Sequence, residues 1–166
     1  MIRARKTIEQ RSDLQPYLFC RGFMFTDKRY SVSVYPFYGN WKIYEAKDYN
    51  LYVHNSQKVT FYSERNSLLI LVGHAYNPFS MEYDETEILK TLANSTDRIG
   101  YINQLTGVFF LAIIESGRVE LHVDASSMQW ACYGYIDGHL YVTSHMRLVG
   151  DLLSLEMTDY SKRLVN

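Results

Sequence analysis

The chain has 166 residues, 47% of them hydrophobic and 21% charged, with a formal net charge of -1. That length supports one domain with a substantial core, and the composition excludes disorder. Near-neutral charge excludes the clustered Lys and Arg on which sequence-independent nucleic-acid binding depends.

The longest apolar run, Val108 to Ile114, falls far short of the roughly 18 residues of a membrane span. No charged segment followed by an apolar one marks a secretory signal. The expectation is a cytoplasmic protein with no nucleic-acid and no membrane partner. Cys20 and Cys132 form no CxxC pair, and their apolar neighbours predict buried, reduced thiols. Many of the fifteen tyrosines lie between Tyr30 and Tyr62, where they suit half-buried strands, with a stacking surface as the alternative.

In chain order, Met1 to Lys6 is basic but short. Val32 and Val34 alternate with Ser31 and Ser33, the period of a half-buried strand, ended by Pro36. Trp41 to Tyr44 predicts a second strand. Leu51–Val53 and Val59–Tyr62 flank His54-Asn55-Ser56-Gln57, which reads as a hairpin. Leu68 to Val72 is continuously apolar, as in a strand covered on both faces.

Pro78 and Ser80 open a loop. Asp84, with Glu87 three residues on, reads as a capping box for a helix carrying Ile88, Leu89 and Leu92 on one face. Asn94 to Asp97 breaks it, and Arg98 to Gln104 predicts a second helix. Gly107 to Glu115 reads as a buried strand, turned at Ser116-Gly117 into Arg118–Asp124, with Val119, Leu121 and Val123 facing inward. Asp137-Gly138 between apolar runs is a strong hairpin signal, because both turn positions take positive φ. Ser144 is placed to cap a last helix with Met146, Leu148 and Val149. Antiparallel strands with segregated helices give an α+β fold.

Five segments, in order, resemble the class II glutamine amidotransferases, the N-terminal-nucleophile domains of asparagine-synthetase-like enzymes. Leu71-Val72-Gly73-His74-Ala75-Tyr76-Asn77 resembles that family's Asn-Gly-Glu-Ile-Tyr-Asn loop, and Glu85-Thr86-Glu87-Ile88-Leu89 its Asp-Thr-Glu-Val helix start. Leu105-Thr106-Gly107-Val108-Phe109-Phe110-Leu111-Ala112 resembles its Leu-x-Gly-x-Phe-Ala-Phe strand. Asp124 matches the Asp of an Arg-Asp-x-x-Gly segment, and Tyr133–Ser144 the closing hairpin, with His145 replacing a Glu. The resemblance is firm from Leu68 to Leu153. It implies a four-layer αββα sandwich of two antiparallel sheets between helical layers over residues 1–153. Residues 154–166, through Leu155–Ser161, resemble the lead-in to a synthetase domain.

The family reaction uses an N-terminal cysteine as nucleophile with its own α-amine as base, and an oxyanion hole made by a side-chain amide and a backbone N–H. By resemblance, position 2 holds Ile2 instead of the nucleophile, and the oxyanion Asn falls on Val72. Gly73 keeps its N–H, the following Glu becomes His74, and the substrate-binding Asp becomes Glu85. Val72, Gly73, His74, Asn77 and Glu85 thus mark a vestigial pocket.

Cys20-Arg21-Gly22-Phe23-Met24-Phe25-Thr26-Asp27 resembles the family's opening strand, so Cys20 is the vestigial nucleophile candidate, masked by residues 1–19. No catalytic residue is expected. His122 and Asp124, with His139 and His145, form a weak candidate metal site, and neither a metal nor another cofactor is expected in this domain.

The first functional expectation is therefore a catalytically degenerate amidotransferase-like domain. It would support an asparagine-synthetase-like, ATP-dependent amide-forming domain, in cis or in trans, as in β-lactam-forming synthetases and lasso-peptide cyclases. The alternatives are a stand-alone interaction or ligand-binding module, and a self-processing glutaminase that uses Cys20.

Overall fold

The computed structural model describes residues 2–156. Nine strands form two antiparallel sheets. One is five-stranded, in the order β2-β3-β1-β9-β8, from β1 (Phe23–Thr26), β2 (Trp41–Ala46), β3 (Tyr49–His54), β8 (Cys132–Ile136) and β9 (His139–Thr143). The other is four-stranded, in the order β4-β5-β6-β7, from β4 (Val59–Glu64), β5 (Ser67–Tyr76), β6 (Thr106–Glu115) and β7 (Arg118–Val123). The fold is α+β, and β6 and β7 are adjacent and antiparallel, with Ile114 opposite Val119 across the Ser116-Gly117 turn.

The continuous apolar runs are explained by two cores that share β5 and β6. Ile70, Val72, Phe110, Ala112 and Ile114 point between the sheets and meet Phe23, Phe25, Val53 and Val142. Leu69, Leu71, Phe109, Leu111 and Ile113 point the other way, under Ile88, Leu89 and Leu92 of α2 (Glu85–Asn94) and Ile102 of α3 (Arg98–Ile102). Each such fully buried side chain contributes about 1.5–3 kcal/mol, so the central residues of both strands are used on one face or the other, while His74, Tyr76, Thr106 and Val108 at their far end are exposed. The outer face of the five-stranded sheet is closed by Leu148 and Val149 of α4 (Met146–Leu152) and by Phe37, around Met24, Tyr52 and Tyr141. Helix α1 (Ile2–Gln10) and a 3-10 turn at Ser12–Tyr17 precede β1.

Several local expectations are corrected. The segment Ser31–Val34 is loop, not strand: within 27–40 the chain doubles back, with Phe37 and Tyr38 N–H groups both bonded to the Val34 carbonyl. His54–Gln57 is not a hairpin turn. It is the crossover between sheets, since β3 pairs with β1 and β2 while β4 pairs with β5. The true hairpins turn at Lys47-Asp48 and Arg65-Asn66, with Lys47 and Arg65 at positive φ.

Asp84 does cap α2, accepting from the N–H groups of Thr86 and Glu87. The reciprocal acceptor is Glu82, however, which takes the Asp84 N–H at 2.8 Å, while Glu87 pairs with Lys90. The predicted second helix is shorter, ending at Ile102. The last helix has His145 at its N-cap position, because Ser144 Oγ instead accepts the Phe23 N–H at 2.9 Å, tying α4 to β1. Among the described residues no helix is long and apolar enough to cross a membrane. Residues 157–166, most of the 154–166 tail, lie outside the described residues.

Candidate functional site

Of the residues that the resemblance singles out, Val72, Gly73 and His74 lie on β5, Asn77 follows it, and Glu85 opens α2. Gly73 and Gly107 lie one step on either side of the cross-strand pair His74 and Val108. Both glycines have positive φ, and a Cβ on either would overlap a carbonyl oxygen of the opposite strand, that of Val108 for Gly73 and of His74 for Gly107. Only glycine allows this close backbone approach, which gives two of the matched motif positions a physical cause.

Beyond this pinch, His74 Nδ1 lies 3.1 Å from Glu85 Oε1, and Lys58 Nζ donates to Glu85 Oε2 at 2.7 Å. Burial opposes the charge of Glu85, yet its hydrogen bonds with Lys58, its own backbone N–H and His74 outweigh that and hold its carboxyl below the usual range. The structure thus joins His74 and Glu85 and adds Lys58, whose place on the crossover carried no sequence signal.

Asn77 has a different role. It is fully buried, its Oδ1 accepts the Phe79 and Ser80 N–H groups at 2.9 and 3.2 Å, and its Nδ2 donates to Gln104 Oε1 at 3.2 Å. A backbone bridge from Asn77 to Glu82 closes the loop. The result is a fixed loop that displays Phe79, Met81 and Tyr83, with Tyr83 stacked on Tyr76 at 5.8 Å between ring centroids. Phe79, at 78% exposure, is covered by nothing.

The two positions that the resemblance would assign to an oxyanion hole are otherwise engaged. Val72 is fully buried in the inter-sheet core, and the Gly73 N–H, retained by resemblance, donates to the Lys58 carbonyl at 2.9 Å.

Cys20 is exposed and Cys132 partly so, which corrects the expectation of buried thiols; each lies at the surface end of a strand or turn. Cys20 sits in a turn three residues ahead of β1, not on the strand itself. Its Sγ is 3.4 Å from Ser56 Oγ, which is 2.7 Å from His54 Nδ1, while His54 Nε2 is 2.9 Å from the Pro16 carbonyl. A carbonyl only accepts, so Nε2 carries the proton and Nδ1 accepts from Ser56. Burial lowers the imidazole pKa of His54, partly offset by the Pro16 bond. Cys20, Ser56 and His54 thus form a continuous hydrogen-bonded chain, an arrangement hidden in sequence because His54 and Ser56 resemble turn residues.

The candidate metal ligands do not converge. His139 pairs with Asp27 at 3.1 Å, His145 bonds Ser144, and Asp124 is buried and accepts from the N–H groups of Ser126, Met128 and Gln129. Among the described residues no group of three His, Cys, Asp or Glu side chains could hold a metal ion.

A cavity of about 370 Å³ lies elsewhere, between Ile8, Leu18, Phe19, Tyr35, Arg147 and Asp151. Its buried Asp151 is already bonded to Tyr35 Oη at 2.5 Å and lies 3.6 Å from Arg147. No family model matches the chain, and no curated protein matches it.

Proposed function

We propose that this chain is a class II glutamine-amidotransferase-like domain, built as a four-layer αββα sandwich of the N-terminal-nucleophile hydrolase type. In this reading it has lost glutamine hydrolysis and serves as the docking and stabilising domain of an asparagine-synthetase-like, ATP-dependent amide-forming partner.

The observation that carries the reading is the contrast at one end of β5. The donors needed for hydrolysis are absent, since Val72 is core and the Gly73 N–H is bonded to Lys58. The neighbouring loop is nevertheless held rigid by Asn77 and displays Phe79, Met81 and Tyr83 to solvent. A contiguous apolar display of this kind marks an interaction surface. A domain relieved of its catalytic task keeps the contacts that its partner needs while its pocket residues drift.

The test is expression of the adjacent or fused synthetase-like domain with and without residues 1–166. The expected result is that soluble yield and ATP-dependent amide formation both fall without them. Unchanged yield and activity would remove the scaffold reading.

The self-processing alternative draws on the Cys20–Ser56–His54 chain. It requires a mass corresponding to a chain that starts at Cys20 and glutamine turnover abolished by Cys20→Ala. A stand-alone ligand module would instead show a thermal shift with a small molecule and none with a synthetase.

A further inference from the structure

Each sheet has two edges, and three of the four edge strands carry charge: Lys42 and Glu45 on β2, Glu64 on β4, and Arg118 and Glu120 on β7. Charges on an edge discourage another chain from adding a strand. The fourth edge strand, β8, reads Cys-Tyr-Gly-Tyr-Ile and has none. Among the described residues it pairs only with β9.

Tyr133 and Tyr135 lie opposite Val142 and Leu140. Cross-strand neighbours share a face, and Val142 and Leu140 belong to the inter-sheet core. Yet Tyr133 and Tyr135 are 78% and 72% exposed, so the four-stranded sheet does not reach beneath them. Met128 and Trp130 are exposed just before the strand, on a loop organised by the buried Asp124.

The backbone is arranged to match. The β8–β9 hairpin turns through Asp137 and Gly138, both at positive φ. The residues flanking a two-residue turn form a hydrogen-bonded pair, and such pairs alternate along the ladder. Ile136, Gly134 and Cys132 therefore bond toward β9, and the N–H and C=O groups of Tyr133 and Tyr135 point to the open edge.

We infer that β8 pairs with β8 of a second copy, antiparallel about a two-fold axis at Gly134. The strand is self-complementary in that register. Tyr133 falls opposite Tyr135 of the other copy, Gly134 opposite its counterpart, and Cys132 opposite Ile136. The two tyrosine pairs are those whose edge groups face each other, giving four backbone hydrogen bonds. A two-fold axis normal to the sheet keeps all four tyrosines on one face, where aromatic cross-strand pairs add stability.

Four tyrosines that each bury at most about 150–250 Å² set an upper bound of about 1,000 Å² over both copies, the size of a weak, reversible contact. The five-stranded sheet becomes one of ten strands. This inference does not rest on the synthetase reading.

Sedimentation across the micromolar range tests it. The mass should rise from 19.5 kDa toward twice that value. Apart from its chain neighbours, no atom lies within 4 Å of a Cβ placed on Gly134, so a side chain there starts without a clash in the monomer. Gly134→Asp and Gly134→Lys should each weaken the dimer by about tenfold or more, because like charges meet on the axis, while mixing the two variants should restore a heterodimer. In a Cys20→Ser background, Ile136→Cys should give a covalent dimer under mild oxidation, through Cys132 of the other copy. A chain that stays monomeric at high concentration, a dimer indifferent to Gly134→Asp, or no recovery on mixing would overturn the proposal.

Discussion

The Gly73 N–H donates to the Lys58 carbonyl at 2.9 Å, one step beyond the β4–β5 ladder, so the backbone group that an oxyanion would need is already engaged. Its neighbour Val72 is fully buried between the sheets. If the proposed amidotransferase-like reading holds, introducing the amide side chain by Val72→Asn should therefore not confer hydrolysis. It would place an amide among Phe23, Phe110 and Val142 without partners, at a cost of about 2–4 kcal/mol. The expected outcome is no glutamate from glutamine in a coupled assay for either protein, and a lower denaturation midpoint for the variant. Glutamate release by Val72→Asn would show that the Gly73–Lys58 bond yields to an oxyanion.

A second prediction concerns the pinch between β5 and β6. Gly73→Ala and Gly107→Ala each add a methyl that overlaps the opposite carbonyl oxygen, at positive φ. Neither strain has a side-chain escape, so each change should cost roughly 3 kcal/mol or more, measured by chemical denaturation. Gly150→Ala, which meets no atom within 4 Å, serves as the control and should stay within about 1 kcal/mol of the parent.

How far these features could be read from sequence depended on what each signal encodes. The runs at Leu68–Val72 and Gly107–Glu115 were legible because a strand buried on both faces has no polar alternation. The Asp137-Gly138 turn was legible because its chemistry is specific. The hairpins at Lys47 and Arg65 were not, since their positive-φ residues are neither Gly nor Asn. The crossover at His54–Gln57 was misread because strand periodicity says which face a residue occupies but not which sheet the strand joins. The Ser31–Val34 alternation belongs to a loop from which Val32 packs against the outer core while Val34 stays exposed. At the site, His74 and Glu85 were placed together, but Lys58 and the His54–Ser56 relay join through tertiary contacts that no local pattern records.

A third prediction is a pH dependence. Glu115 accepts from Arg98 at 2.7 Å and from Ser67, and these bonds, the Arg98 one foremost, hold its carboxyl down at about 2. The folded value lies below the unfolded one, so the stabilisation is fully present above about pH 4.5 and is lost as pH falls toward 2. Glu115 is 40% exposed in its side chain, so solvent screening limits the contribution to below about 1 kcal/mol. Glu115→Gln should therefore be slightly less stable than the parent at pH 7. That gap should close between pH 4.5 and 2 in denaturant titrations. A gap constant over that range would assign the loss to geometry instead of charge.

The last prediction addresses the loop that follows β5. Asn77 satisfies two loop N–H groups and Gln104 from a fully buried position, so Asn77→Ala removes three part-buried hydrogen bonds and should cost about 1–3 kcal/mol. Phe79 and Met81 make no such contribution: they are 78% and 68% exposed, and surface changes of this kind stay within about 0.5 kcal/mol. The two kinds of variant separate folding from docking. Phe79→Ser with Met81→Ser should leave the melting temperature nearly unchanged, yet, if the proposed docking role holds, lower co-purification with a synthetase-like partner by about tenfold, the loss of roughly 1.4 kcal/mol of contact energy. Asn77→Ala should reduce both, because the loop loses the shape in which it presents those side chains. If the double variant binds the partner as well as the parent does, the loop is not the docking surface, and the partner must approach another face of the domain.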